Sequence, residues 1–171
     1  KGNMTFSLFK NLIDEFVANN YKPKIFLNFS GEPTINRELP EFIKYATDRN
    51  FWVHLSTNVT YMNEELSTKI IKSGLSHIYL CIDGFTKEAH EAYRIGSKFE
   101  NVKANIEQFM RKRKELDSTL PFVEIQTLIT SKSQDHIEPI LNWAKNIGAD
   151  ACYFRGMILD FRKDNSSSLR E

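Results

Sequence analysis

Apolar residues in this chain switch repeatedly between a period near two and a period near 3.6, and that switching restricts the folds open to it. Ile25-Phe26-Leu27-Asn28-Phe29 reads as a short buried strand. Asn36 to Arg49 reads as a helix with Leu39, Phe42, Ile43 and Ala46 on one stripe. Ahead of them, Thr5 is placed to cap a helix carrying Leu8, Phe9, Leu12, Ile13, Phe16 and Val17. Beyond them, the run 52–57 is a strand, and Asn63 caps a helix with Leu66, Ile70 and Ile71 that stops at Gly74. His77 to Ile82 is a third strand, and Thr86 caps a segment reaching Arg94. From Phe99 to about Glu115, Val102, Ile106, Phe109 and Met110 mark a helix. Phe122 to Ile129 is a fourth strand. Asp135 then caps a helix with Ile137, Ile140, Leu141 and Ala144 facing in, and Cys152-Tyr153-Phe154 is a fifth strand.

Five short strands alternating with helices predict a parallel sheet with right-handed crossovers. The rhythm suits either a doubly wound sheet or a (β/α) barrel. A helix comes first, whereas in a parallel arrangement a helix normally follows a strand, so a strand and loop are expected upstream of Lys1. The polar run at 162–168 and the start without methionine suggest that both ends are cut. The expected organisation is one α/β domain over residues 1–160, followed at 161–171 by a polar tail or a linker to a missing C-terminal region.

A length of 171 residues allows one domain with a real core. The formal net charge of +1 gives no long-range pull toward nucleic acid or a membrane surface. Arg111-Lys112-Arg113-Lys114 ends a predicted helix, where cations suit the dipole. Neither a membrane-spanning stretch nor a signal peptide is visible, which makes the cytoplasm the expected location. Cys81 and Cys152 lie far apart and outside any Cys-x-x-Cys pair, so they predict neither a disulfide framework nor a self-contained metal site. The four histidines show no close spacing and read as scattered surface or satisfied residues.

Polar residues gather where the strands end. They are Ser30-Gly31-Glu32-Pro33, then Ser56-Thr57-Asn58, then Cys81-Ile82-Asp83-Gly84, with Gln126 inside the fourth strand. In parallel α/β proteins that edge is where ligands bind. Each residue also has a structural reading: Asn58 and Asp83 are common turn residues, and Thr34 or Asn36 would serve as helix caps.

"FSGEPTINREL", "LSTNVTYMNEEL", "LCIDGFTKEAHEAYRIG" and "GADACYF" resemble, in order and spacing, the core of the radical S-adenosylmethionine (SAM) enzymes, and "MTFSLFKNLIDE" resembles the helix after that family's cluster loop. The resemblance covers most of the chain. It implies a partial (β/α)6 barrel that holds a [4Fe-4S] cluster and SAM. It further implies reductive cleavage of SAM to a 5′-deoxyadenosyl radical, which takes a hydrogen atom from a substrate. Such a protein would need an external electron donor, and its substrate would be a peptide or a small molecule, in peptide or cofactor maturation.

Carried onto these positions, Gly31-Glu32-Pro33 matches the turn that grips the SAM ammonium, with Ser30 in place of a glycine. Asn58 belongs to the matching Thr-Asn turn, where Val59 replaces a glycine; a β-branched residue disfavours positive φ, so this turn is expected to differ in shape. Cys81 stands where the family has a serine that contacts SAM, and a small buried packing role is its alternative. Asp83 is expected to organise its turn, with a SAM contact as its alternative. Arg94 matches an arginine that pairs with the SAM carboxylate, against an ion pair with Glu91 or Asp83. Gln126 either faces the SAM ribose or fills the barrel.

No C-x-x-x-C-x-x-C loop occurs in the 171 residues. Either that loop lies upstream of Lys1, or the chain is a binding scaffold that has lost the cluster. In both cases these residues alone are expected to be catalytically silent.

Overall fold

The computed structural model describes residues 4–156, so the expected boundary at 160 and the tail at 161–171 lie outside the described residues. In chain order the elements are α1 (Phe6–Ala18), β1 (Ile25–Phe26), α2 (Leu39–Thr47), β2 (Val53–Thr57), α3 (Glu64–Lys72) and β3 (His77–Cys81). They continue with α4 (Lys87–Tyr93), α5 (Phe99–Glu115), β4 (Phe122–Ile129), α6 (Ile137–Asn146) and β5 (Ala151–Gly156). All strand pairs are parallel and the spatial order is β1-β2-β3-β4-β5. A doubly wound sheet reverses its strand order at a switch point, whereas here space follows sequence throughout. The sheet is therefore a partial barrel wall, and the choice left open by periodicity is settled.

Strand alternation sorts the side chains into two layers. Val53, Leu55, Ile78, Leu80, Val123 and Ile125 are fully buried toward the helices, against Phe42, Ile43, Ile70, Ile106, Phe109 and Ile140. By the same alternation, the opposite face carries Phe26 and Asn28, His54 and Ser56, His77, Tyr79 and Cys81, Glu124 and Gln126, and Tyr153 and Arg155. The helix layer forms the apolar core, and the concave layer carries polar and aromatic side chains.

Local signals set most boundaries. Thr5, Asn63 and Thr86 cap α1, α3 and α4, accepting from the N–H groups of Leu8 (3.3 Å), Leu66 (2.8 Å) and Ala89 (3.2 Å). Three expectations are corrected. The helix expected from Asn36 begins at Leu39, because Asn36 Oδ1 accepts from Glu38 N–H at 3.0 Å and forms a turn of its own. Asp135 caps nothing; it lies in a 3₁₀ turn, Gln134–His136, ahead of α6. The buried stripe of α6 is Ile140, Trp143 and Ala144, while Ile137 and Leu141 are exposed. The large Trp143 ring decides the rotation: it packs against Phe85, and its Nε1–H donates to Glu107 at 2.8 Å. On α1, Phe9 stacks on Phe42 at 4.7 Å and Ile13 is buried, while Leu8, Leu12 and Val17 stay exposed.

Candidate functional site

At Leu27 the β1 backbone still donates to His54 O; the chain then leaves the sheet through Asn28 to Glu32. Gly31 has φ +92°, a conformation that favours glycine, and no atom lies within 4 Å of where its Cβ would stand. Glycine is needed there for the backbone angle, not for room. Glu32 and Pro33 open a 3₁₀ turn, Pro33–Ile35. Glu32 Oε1 accepts from Thr34 N–H (3.1 Å), Thr34 Oγ1 (2.5 Å) and Thr57 Oγ1 (2.6 Å), and Oε2 accepts from Asn58 N–H (2.8 Å). The carboxylate thus ties the turn after β1 to the end of β2. Oε1 is saturated, while Oε2 keeps room for one more donor.

The turn after β2 departs from expectation. Val59 is fully buried and adopts φ +65°, so the backbone keeps the left-handed shape a glycine would give. The surroundings over-determine it. Val59 N–H donates to Thr57 Oγ1 at 3.0 Å, and its carbonyl accepts from Asn105 Nδ2 at 3.0 Å and Met62 N–H at 3.1 Å. Asn58 Oδ1 accepts from Thr60 N–H at 3.0 Å, closing the same turn.

After β3, both oxygens of the buried Asp83 are occupied. Oδ1 accepts from Leu128 N–H at 2.9 Å and Oδ2 from Arg94 Nε at 2.5 Å. Asp83 therefore organises its turn, and any effect on a ligand passes through Arg94. Burial lowers the Arg94 pKa while the Asp83 carboxylate raises it, with a net rise. Beneath them sits His90, fully buried; its Nδ1 accepts from Asp83 N–H at 3.2 Å and its Nε2 meets Ser97 Oγ at 3.0 Å. Accepting at Nδ1 requires a neutral ring, in line with burial lowering the His90 pKa. Gly84 admits no side chain, since a Cβ there would stand 2.7 Å from Ala89 Cβ.

Asn28, Gly31, Glu32, Asn58, Cys81, Arg94 and Gln126 line one cleft of about 200 Å³ at the carboxyl ends of β1 to β4. A second cleft, of about 450 Å³, adjoins it along β1, sharing Asn28 and Glu32 and adding Pro33 and Ile35. Asp83 is the one expected site residue set back from both. The Cys81 thiol meets Gln126 Oε1 at 3.1 Å and Ser56 Oγ at 3.5 Å, and burial pushes its pKa up to about 11, so it stays protonated. Asn28 Oδ1 is buried and has no partner among the described residues. Among the described residues only one guanidinium nitrogen of Arg94, Nε, has a hydrogen-bond partner. One cleft thus presents spare acceptors and spare cationic donors together, the pair that an α-amino acid head group requires.

One residue here escaped the sequence reading. Asn28 shares the strand parity of Phe26, which would have placed it on the concave face. Thr57 stood in the strand-end run, but its bond to Glu32 forms only once the first turn folds back over β2. Of the histidines expected to be scattered or satisfied, His54 and His77 are satisfied but not scattered: they are register partners on β2 and β3, with their Nδ1 atoms 2.9 Å apart, and His77 Nε2 meets Glu124 Oε1 at 2.7 Å.

A parallel sheet in sequential order, with a polar cleft across its carboxyl edge, defines a (β/α)-barrel-type ligand-binding domain. The profile of the Radical SAM superfamily matches residues 1–144, and the chain belongs to that family, whose members bind SAM and a [4Fe-4S] cluster. The AdoMet-dependent heme synthase of Methanosarcina barkeri is 31% identical over 98% of this chain and 46% of its own length. The tungsten-containing aldehyde ferredoxin oxidoreductase cofactor-modifying protein of Pyrococcus furiosus is 22% identical over 88% of this chain and 42% of its own. The solved structure of native anSMEcpe with bound AdoMet and Kp18Cys peptide superposes with a TM-score of 0.71 at 18% identity, over 97% of this chain and 46% of that one. The chain thus spans about half the length of the relatives it matches.

The residues present treat the two groups differently. Orphaned Asn28 Oδ1, the open position on Glu32 Oε2 and the free guanidinium edge of Arg94 fit SAM. They do not fit the cluster: among the described residues no three His, Cys, Asp or Glu side chains are grouped to hold a metal, and the sequence has only two cysteines. No helix among the described residues is long and apolar enough to cross a membrane.

Proposed function

We propose that this chain forms the SAM-binding core of a radical SAM enzyme acting in peptide or cofactor maturation in the reducing cytoplasm. The observation that carries the reading is the pairing, in one cleft, of unmet acceptors on Asn28 and Glu32 with the unmet donors of Arg94. SAM bound here would supply one-electron chemistry for hydrogen abstraction only beside a [4Fe-4S] cluster, for which the described residues offer no ligand set. Asn28 Oδ1 and Glu32 Oε2 accept from the ammonium. Arg94, held through Nε by Asp83, turns its remaining N–H groups to the carboxylate. Gln126 offers its amide N–H to a ribose hydroxyl while its oxygen stays with Cys81. Gly31 and Pro33 fix the turn, so that Glu32 is preorganised before any ligand arrives.

A second reading is a binding scaffold that keeps the fold without redox chemistry. Both readings predict SAM binding. The full-length protein, reconstituted anaerobically with iron and sulfide, separates them when SAM and a strong reductant are added and 5′-deoxyadenosine is measured. Product that falls at least tenfold in Arg94→Ala supports the enzyme. No assembled cluster and no product leave the scaffold. SAM affinity unchanged in both Arg94→Ala and Asn28→Ala overturns the site itself.

A further inference from the structure

Below the SAM cleft, toward the amino ends of the strands, the concave face holds a bowl of about 470 Å³ that the SAM site does not use. Phe26, Trp52, Tyr79 and Phe122 wall it, and Glu124 supplies its carboxylate. From the geometry we propose that this bowl binds a protonated primary amine on an apolar stem, as the recognition site for the substrate, an inference that rests on the proposed function.

Charge and register carry the argument. Glu124 Oε1 is fixed by His77, while Oε2 has no protein partner among the described residues. Its register neighbour on β5 is Ala151, whose methyl group leaves that side open. The carboxylate is therefore held in place with one oxygen presented to the bowl. Neither histidine supplies an opposing site for an anion. His54 is buried and faces the His77 ring, which together push its pKa down to about 4, so it is neutral at pH 7. His77 spends both ring nitrogens on His54 and Glu124. The aromatic faces suit a cation with an alkyl stem, and one cation already rests on them: Lys24 Nζ lies 4.9 Å from the Trp52 ring centre, at the rim. Arg155 lies on the same face further along β5, in register with Leu128; its charge reaches the Tyr79 hydroxyl, but it does not line the bowl. Among the described residues that line the bowl none is a lysine or arginine, so a polyanionic substrate would meet Glu124 with no lining cation to offset it.

Calorimetric titration of the full-length protein at pH 7 tests this with three probes of one shape: n-pentylamine, pentanol and pentanoate. The expected order is amine tightest, alcohol about tenfold weaker and acid weakest. Glu124→Gln keeps an oxygen for His77 and should bring the amine down to the alcohol. Equal affinities, or a preference for the acid, in the wild-type protein overturn the proposal without any variant. A capped Gly-Lys-Gly peptide distinguishes the sources: binding tighter than pentylamine identifies a peptide lysine, and equal binding a free amine. SAM titrated into the same samples separates the two failures. SAM binding without amine preference refutes only the bowl, and amine preference without SAM binding refutes only the SAM core.

Discussion

Replacing Glu32 with alanine should destabilise the protein in the absence of any ligand. The side chain accepts two backbone N–H groups, from Thr34 and Asn58, and two hydroxyls, from Thr34 and Thr57. The hydroxyls can turn elsewhere, but the two N–H groups are fixed by the backbone and lose an ionic acceptor. At about 1–2 kcal/mol for each such bond, the loss is about 2–4 kcal/mol. For a chain of this size that lowers the melting temperature by roughly 5–12 °C. Glu32→Gln retains one oxygen, but its amide nitrogen must face one of those N–H groups, so about half the loss should remain. Thermal unfolding followed by far-ultraviolet circular dichroism without SAM, together with urea titration, measures both. An unchanged melting temperature in Glu32→Ala alongside weakened SAM binding would refute the bracing role and leave Glu32 as a ligand contact alone.

Two further outcomes follow from strained and buried groups. At Val59, Val59→Gly should be more stable than Val59→Ala by about 1 kcal/mol, reversing the usual order, because φ +65° strains every residue with a Cβ; urea unfolding of the pair decides it, and alanine at or above glycine would contradict the strain. His54 gives a pH dependence. Its folded pKa is depressed to about 4 from the ordinary 6.5, so its contribution is complete above pH 6.5 and is lost as pH falls toward 4, where the unfolded chain takes a proton that the folded chain refuses. The loss approaches about 3 kcal/mol across that window. His54→Phe should remove most of the slope and leave the smaller part that His90, also depressed by burial, contributes.

What could be read from the sequence divides along a physical line. Features fixed by neighbours within one turn were legible: the caps Thr5, Asn63 and Thr86, and the spans of α5 and β4. Features fixed by register were not. His54 and His77 are 23 residues apart and look unrelated until β2 and β3 align them. Trp143 outweighs Ile137 and Leu141 only because Phe85 and Glu107 arrive from other elements. The site lies across that line. Its residue types and their place at strand ends were legible, because a parallel sheet puts all such turns on one edge. Which lone pairs remain free was not, since that depends on Thr57 and Asn58 spending most of Glu32 and on Asp83 spending one edge of Arg94. Binding capacity in such a site is what folding leaves over. The same bonds that consume Glu32 and Arg94 also hold their unspent atoms in fixed directions, so a ligand that meets those atoms pays little to order them.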